Sequence, residues 1–442
     1  MSIFSKIKRE TAFWFGSLFI AILALIIFLI VPLDNPIRFS KPVTSIYYVD
    51  NISAAHQMLI DKFNHQYRDK IEVVAVDLPF SKFSTNERKE ILARSLRSKS
   101  GRIDVFSIDI IWGPRFARWS HPLDRYFNSD ELKTFNAQAL KTCYYDQQLI
   151  AVPHYIDVGL LYYRKDLIEQ FPDSQELIDR LQRSLSWTEF IELGQRWKGD
   201  NPFYIFAGFS FEGLVCSFHE LLSSTEIERI FTPGTMDLNT PQARRGLQLL
   251  VDMINTLRFT PAVITGYDEF KCYRYALEND ALFLRGWSGL HQQYRGVFED
   301  RDKLNQMAVA PLPHFDDDRQ SAVFGGWNLM VSKFSKNKNE AVTFIKFLLT
   351  EENQKLLYEH GGYIPVQTDV YQDQNFLDRN PEFSRYLHLL NYGKHRPLRE
   401  DYTMISDIMS HYLNAALRQE IGVSEALQRA SEMINAQHVF IK

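Results

Sequence analysis

From residue 11 to residue 33 no side chain is charged, and the centre of this run reads WFGSLFIAILALIIFLIVPL. At about 1.5 Å per residue a helix of that length crosses the roughly 30 Å hydrocarbon core of a bilayer. It is apolar on every face, which predicts a membrane-inserting helix rather than a buried one. Beyond it the pattern changes. Residues 34–42, with Pro36 and Pro42, read as a short spacer. Then short β-rich runs alternate with helical periodicity. Residues 45–49 read as a strand, followed by a helix whose apolar positions include Met58, Leu59, Phe63 and Tyr67. A strand at 71–76, a helix at 87–97 and a strand at 103–108 follow. Strand–helix alternation at this spacing predicts an α/β lobe with a largely parallel sheet.

Two further runs, 149–152 and 159–163, read as strands flanking a turn that contains Pro153, His154 and Asp157. The next stretch is more helical, with helices expected at 187–197, 212–222, 241–257 and 269–278. Pro241 directly after Asn239-Thr240 is a helix start, because proline at the first helical position lacks only an N–H that would be unpaired anyway. Strands are expected at 308–314 and 323–332, helices at 337–348 and 351–360, and a largely helical tail over 381–438. No internal repeat is present.

Length and composition then narrow the class. The chain has 442 residues, of which 45% are hydrophobic and 24% charged. That is enough apolar material for real cores and too long for one ordinary domain, so two lobes are expected. Lys6, Lys8 and Arg9 precede the apolar run, which places the amino terminus (1–10) in the cytoplasm and the body outside. The exit, Val31-Pro32-Leu33-Asp34-Asn35-Pro36, has no small-x-small cleavage site and no Cys follows it. An uncleaved signal anchor over 11–33 is therefore expected, rather than a cleaved leader or a lipid anchor. The body is more acidic than the whole chain at -4, which argues against a nucleic-acid partner. Cys143, Cys216 and Cys272 are an odd set, so at least one thiol is unpaired; three buried thiols are the preferred reading, with one disulfide left open.

Catalytic signatures are weak. The 12 His form no His-Glu-x-x-His pattern, and there is no glycine–lysine phosphate loop or Gly-x-Ser-x-Gly turn. Asp104 and Asp109 read as strand-end caps, and Asp316-Asp317-Asp318 lacks the other ligands of a calcium loop. No catalytic residue, cofactor or metal is assigned.

Asp104-Val105-Phe106-Ser107-Ile108-Asp109 followed by Trp112, and the run from Ala151-Val152-Pro153 through Asp166-Leu167, carry a family resemblance. Phe211-Glu212-Gly213-Leu214, Arg285-Gly286-Trp287, Val309-Ala310-Pro311-Leu312-Pro313, Gly325-Gly326-Trp327, the run from Ala341 to Leu348 and Gly361-Gly362-Tyr363-Ile364-Pro365 continue it in order, with Arg396-Pro397 and Tyr402 in the tail. Together they resemble the extracellular solute-binding proteins of bacterial ABC importers, the family that includes maltose- and trehalose-binding proteins. The resemblance implies an α/β, two-lobed periplasmic-binding-protein fold with a hinged interlobe cleft, here preceded by an N-terminal transmembrane helix. Lobe one is expected at 43–152 and 326–375, lobe two at 153–325 and 376–442.

It also implies a ligand-binding set. Trp112 lies just after a first-lobe strand. Tyr155 and Asp157 fall where the family places a stacking aromatic and a carboxylate for hydroxyls. Glu212 fits the Glu-Gly-Leu segment, with a helix-start role equally open. Arg285 and Trp287 match an Arg-x-Trp element in which Gly286 replaces a frequent Asn. Trp327, Tyr363, Tyr48 and Asp77 complete the set. Aromatic faces and convergent polar groups suit a sugar, with another small polar solute such as a polyol left open. The implied function is non-enzymatic: a membrane-tethered component of an ABC importer that binds a sugar or oligosaccharide and delivers it to the permease transmembrane subunits. The body would be periplasmic or extracellular, at the cytoplasmic membrane. A solute-sensing module coupled to a membrane receptor is the alternative, and a glycan-processing enzyme a more distant one.

Overall fold

The computed structural model describes residues 43–436 apart from 100, 233, 296, 297 and 299. The expected basic tip, membrane anchor and spacer, together with 437–442, lie outside the described residues. Among the described residues no helix is long and apolar enough to cross a membrane.

The local signals produce the expected elements. β1 (Thr44–Asp50), β2 (Ile71–Asp77) and β3 (Val105–Asp109) are linked by the helices Ala54–Gln66 and Thr85–Arg97. Ser84 and Glu87 form a reciprocal capping box that fixes the start of the second helix. Ser186 with Glu189 does the same for Trp187–Arg196, and Thr240 with Pro241 opens Pro241–Asn255. Helices Glu212–Glu220 and Glu269–Glu278 fall where expected, as do Lys338–Leu348 and Glu351–Gly361.

A two-residue hairpin, β4 (Tyr144–Tyr145) and β5 (Gln148–Leu149), precedes β6 (Val152–Val158), β7 (Leu160–Arg164), β8 (Tyr204–Ile205), β9 (Phe283–Gly286) and β10 (Met307–Ala310). The last strands are β11 (Ala322–Val331), β12 (Ile364–Pro365) and β13 (Gly393–Lys394). The supposed turn at Pro153–Asp157 is thus a strand. Pro153 is tolerated because a bulge falls beside it: Trp327 pairs with Tyr155 and Asn328 with Pro153, leaving His154 as the extra residue.

Two sheets form the two lobes. The seven-stranded one has the order β12-β6-β11-β3-β1-β2, with β13 also on β11; the four-stranded one has the order β10-β7-β9-β8. The first is not largely parallel as expected but mixed. β1 runs parallel to β2 and β3, whereas β11 is antiparallel to both β3 and β6. The reason is the route of the chain. β6 leaves this sheet for the other one, and β11 brings the chain back, so the two neighbours must run oppositely. Only Gly159 separates β6 from β7, and β6 and β11 each run unbroken across the positions expected to part the lobes, 152/153 and 325/326.

Each sheet has its own aromatic core. In the first, Phe63 and Phe344 meet edge to face at 5.1 Å beside the buried Tyr48. In the second, Phe190, Phe203 and Phe283 pack at 4.9–5.2 Å.

Candidate functional site

β11 positions one wall. Gly326 has φ +123°, and a Cβ there would stand 2.5 Å from the Tyr155 carbonyl oxygen, so glycine is required for β6 and β11 to approach. Trp327 follows. Its ring meets Trp112 edge to face at 5.3 Å and Phe80 at 5.7 Å, while the Arg88 guanidinium lies 4.3 Å from it and 4.1 Å from Phe80. Across the strand pair stands Tyr155, whose ring is 4.5 Å from that of Tyr363. Trp112, Trp327, Tyr155 and Tyr363 are therefore brought into one aromatic belt.

β9 positions the opposite group. Arg285 is 2% exposed, holds both Glu220 oxygens at 2.7 and 3.0 Å, and stacks its guanidinium 4.1 Å from the Trp287 ring. The Trp287 backbone is fixed on both sides: its N–H donates to Tyr273 Oη and its carbonyl accepts from Tyr162 Oη, each at 2.7 Å. Gly286 has no room to be the family's Asn, since a Cβ there would lie 2.8 Å from the Tyr162 ring. The indole N–H of Trp287 donates to Glu269 Oε1 at 3.4 Å. Asp157 Oδ1 accepts from the Ser288 N–H at 3.0 Å and the Val158 N–H at 2.8 Å. Burial pushes the Asp157 carboxyl up to about 6 and that of Glu269 up to about 7.

The two groups meet at one glycine. A Cβ on Gly325 would fall 2.7 Å from the Trp287 ring, so this indole from the four-stranded sheet rests against the strand that carries Trp327.

The other three residues named from sequence are engaged elsewhere. Tyr48 is fully buried and donates to Asp50 at 2.5 Å. Asp77 is exposed and accepts from the Ile52 N–H at 2.9 Å, holding the loop after β1. Glu212 is buried, with Oε1 bound by Arg396 at 2.7 Å and Tyr402 at 3.2 Å, and Oε2 by Ser406. Arg396 also reaches Asp109 at 3.0 Å and the Phe324 carbonyl at 3.3 Å, so it ties the carboxyl-terminal segment to β3, β11 and the helix Glu212–Glu220.

Sequence reasoning passed over Phe80, Arg88 and Glu269. For Arg88 a signal existed: Arg88, Leu92 and Leu96 recur every four residues and form one buried face of their helix. Glu269 looks like an ordinary first-turn acid, and nothing local distinguishes it. One further cluster, Asp50, His56 and His154, gathers three potential metal ligands.

Residues 58–385 match the sequence profile of the family described as bacterial extracellular solute-binding protein. A probable ABC transporter-binding protein of Deinococcus radiodurans is 26% identical over 355 residues, covering 78% of this chain and 82% of that one. A putative binding protein of Brucella abortus is 23% identical over 302 residues, covering 67% and 69%. Among solved structures, maltose-bound T. maritima MalE3 superposes with a TM-score of 0.79 at 26% identity, covering 90% of this chain and 100% of that one. The GacH receptor of Streptomyces glaucescens shares the fold, with a TM-score of 0.74 at 17% identity and coverage of 90% and 98%.

Proposed function

Because this chain belongs to the bacterial extracellular solute-binding proteins, a family of binding proteins and not of enzymes, we propose that it binds a sugar or oligosaccharide between its two lobes for an ABC importer. The observation that carries this reading is the meeting of Trp287 with the Gly325–Trp327 strand, flanked by the Asp157 and Glu269 carboxyls. Indole and phenol faces cover the C–H surfaces of a pyranose, and carboxyls accept from or donate to its hydroxyls. The maltose-bound relative at 26% identity supports the same ligand class. Trp112, Tyr155, Asp157, Arg285, Trp287, Trp327 and Tyr363 line or brace the cleft in this reading. Tyr48, Asp77 and Glu212 act behind it, through Asp50, Ile52 and Arg396.

The lobes turn about the links between the sheets, at Gly159 and at 311–321. Ligand shifts an open–closed balance toward closure because it touches both walls only when they are close. The closed form docks on the permease subunits, and the segment 11–33 keeps the body at the outer face of the cytoplasmic membrane. The test is calorimetry of the full chain against a panel of mono- and oligosaccharides, repeated with Trp287→Ala. Binding of one class with a roughly 10–100-fold loss in the variant is expected. Absence of carbohydrate binding across the panel, or hydrolysis of the bound glycan, overturns the reading.

A further inference from the structure

We propose that Asp50, His56 and His154 form a binding site for a divalent transition-metal ion of the zinc class, set behind the Tyr155–Tyr363 part of the aromatic belt. The three side chains come from separate segments: the last residue of β1, the first turn of the helix Ala54–Gln66, and the bulged position of β6. All are buried, at 2%, 1% and 0% exposure. One ligand atom of each lies within 4.8 Å of the others.

Two observations point to an ion. First, His56 Nε2 and Asp50 Oδ2 are 3.8 Å apart. That is too long for a hydrogen bond, yet two ligands each about 2.0–2.1 Å from a shared zinc can stand that far apart. Second, His56 Nε2 and both ring nitrogens of His154 are buried without any hydrogen-bond partner. Buried polar atoms are nearly always paired, so orphans on both rings call for a partner, and one ion can take His56 Nε2 and one of the two His154 nitrogens.

The surroundings are those of a braced site. His56 Nδ1 is 2.8 Å from Ser53 Oγ, a bond that turns the Nε2 lone pair inward when Nδ1 carries the proton. Asp50 Oδ1 accepts from Ser107, from Arg88 at 3.3 Å and from the Asn51 N–H at 2.7 Å, which leaves Oδ2, bonded only by Tyr48, with a lone pair for the cation. The bulge that swings His154 out of register has its carbonyl held by Gln354 Nε2 at 3.1 Å. Two imidazoles and one carboxylate suit zinc, cobalt or nickel and not the all-oxygen shells of calcium or magnesium. The Arg88 guanidinium beside Asp50 opposes a second cation and limits affinity. An ion here would rigidify the ligand-facing rings, because His56 lies 5.0 Å from Tyr363 and His154 5.4 Å from Tyr155.

The experiment strips the full chain with a chelator and titrates it with zinc and, separately, cobalt(II), with no sugar present. One zinc per chain, a raised melting temperature and a visible cobalt(II) band of four- or five-coordinate type are expected. His154→Gln should weaken zinc at least about 10-fold, the lower end of what even an outer-sphere change costs. His154→Cys, or His56→Cys, supplies a signal that does not depend on loss: a bound cobalt(II) gains a thiolate-to-metal charge-transfer band. Metal-free melts establish that each variant folds. Absence of stoichiometric metal in the wild-type chain, or cobalt spectra unchanged in both folded cysteine variants, overturns the site.

Discussion

Replacing Glu269 by Gln tests whether the carboxyl beside Trp287 is held neutral by its surroundings. Its pKa lies at about 7 in the fold against 4.5 for a free side chain, with burial as the leading cause. At 1.36 kcal/mol per pH unit the folded protein disfavours ionised Glu269 by about 3.4 kcal/mol. The residue keeps some contact with solvent, so about half of that, ~1.5–2 kcal/mol, is the expected net effect. The sign follows from proton uptake. Between the two pKa values the folded state holds the proton more often than the unfolded one, so stability falls as pH rises through this window and levels off above about pH 7. The side-chain amide of the variant cannot ionise. Urea melts at about pH 5 and about pH 8 should therefore find Glu269→Gln close to wild type at the lower value and ~1.5–2 kcal/mol more stable at the higher one. Parallel stability–pH curves for the two proteins would refute the reasoning.

Three other outcomes follow from the same contacts. Gly325→Ala drives a methyl to 2.7 Å from the Trp287 ring, and such overpacking costs ~1–3 kcal/mol; calorimetry should show weaker sugar binding, and unchanged binding and stability would show that the ring does not rest there. Arg285→Met leaves the buried Glu220 carboxylate unpaired, an expected loss of ~3–5 kcal/mol, whereas Arg245→Met removes the exposed pair with Asp317 and a cation–π contact with Phe315 and should cost about 1 kcal/mol; equal losses in denaturant melts would contradict the contrast. Cys143, Cys216 and Cys272 are all buried thiols whose pKa burial raises, so a thiol reagent should label them only after unfolding and a reductant should leave the melting curve unmoved; rapid labelling of the native chain counts against this.

The order of strands and helices was legible because its signals are local: Ser84 with Glu87, Thr240 with Pro241, apolar runs of strand length. Strand direction was not. That β11 runs against β3 and β6 depends on where the chain has been, not on residues 322–331. Pro153 read as a turn because the bulge that accommodates it is made by Trp327 and Asn328, far along the chain. The aromatic part of the site was accessible through Trp112, Tyr155, Trp287 and Trp327, since large rings in an ordered motif series leave few alternatives. The polar part was harder. Glu212 belongs to Arg396, 184 residues away, and Asp50 finds His154 only through the sheet. Partners of buried charges are fixed by tertiary packing, which a single sequence does not print.

The strand order also sets a timetable for biosynthesis. β1, β2 and β3 are complete once residue 109 has been made, but the neighbour that covers β3 begins only at Ala322, and the last strand of that sheet is Gly393–Lys394. Pairings so distant along the chain are slow to form and leave a bare strand edge while they wait. A nascent chain that has not reached its final third thus holds no closed sheet in either lobe that would have to be undone during passage through a narrow channel. The same layout makes premature termination hazardous: a product ending before β11 keeps the edge of β3 open to other chains. The long excursion out to the second lobe and back delays folding until nearly the whole polypeptide is present.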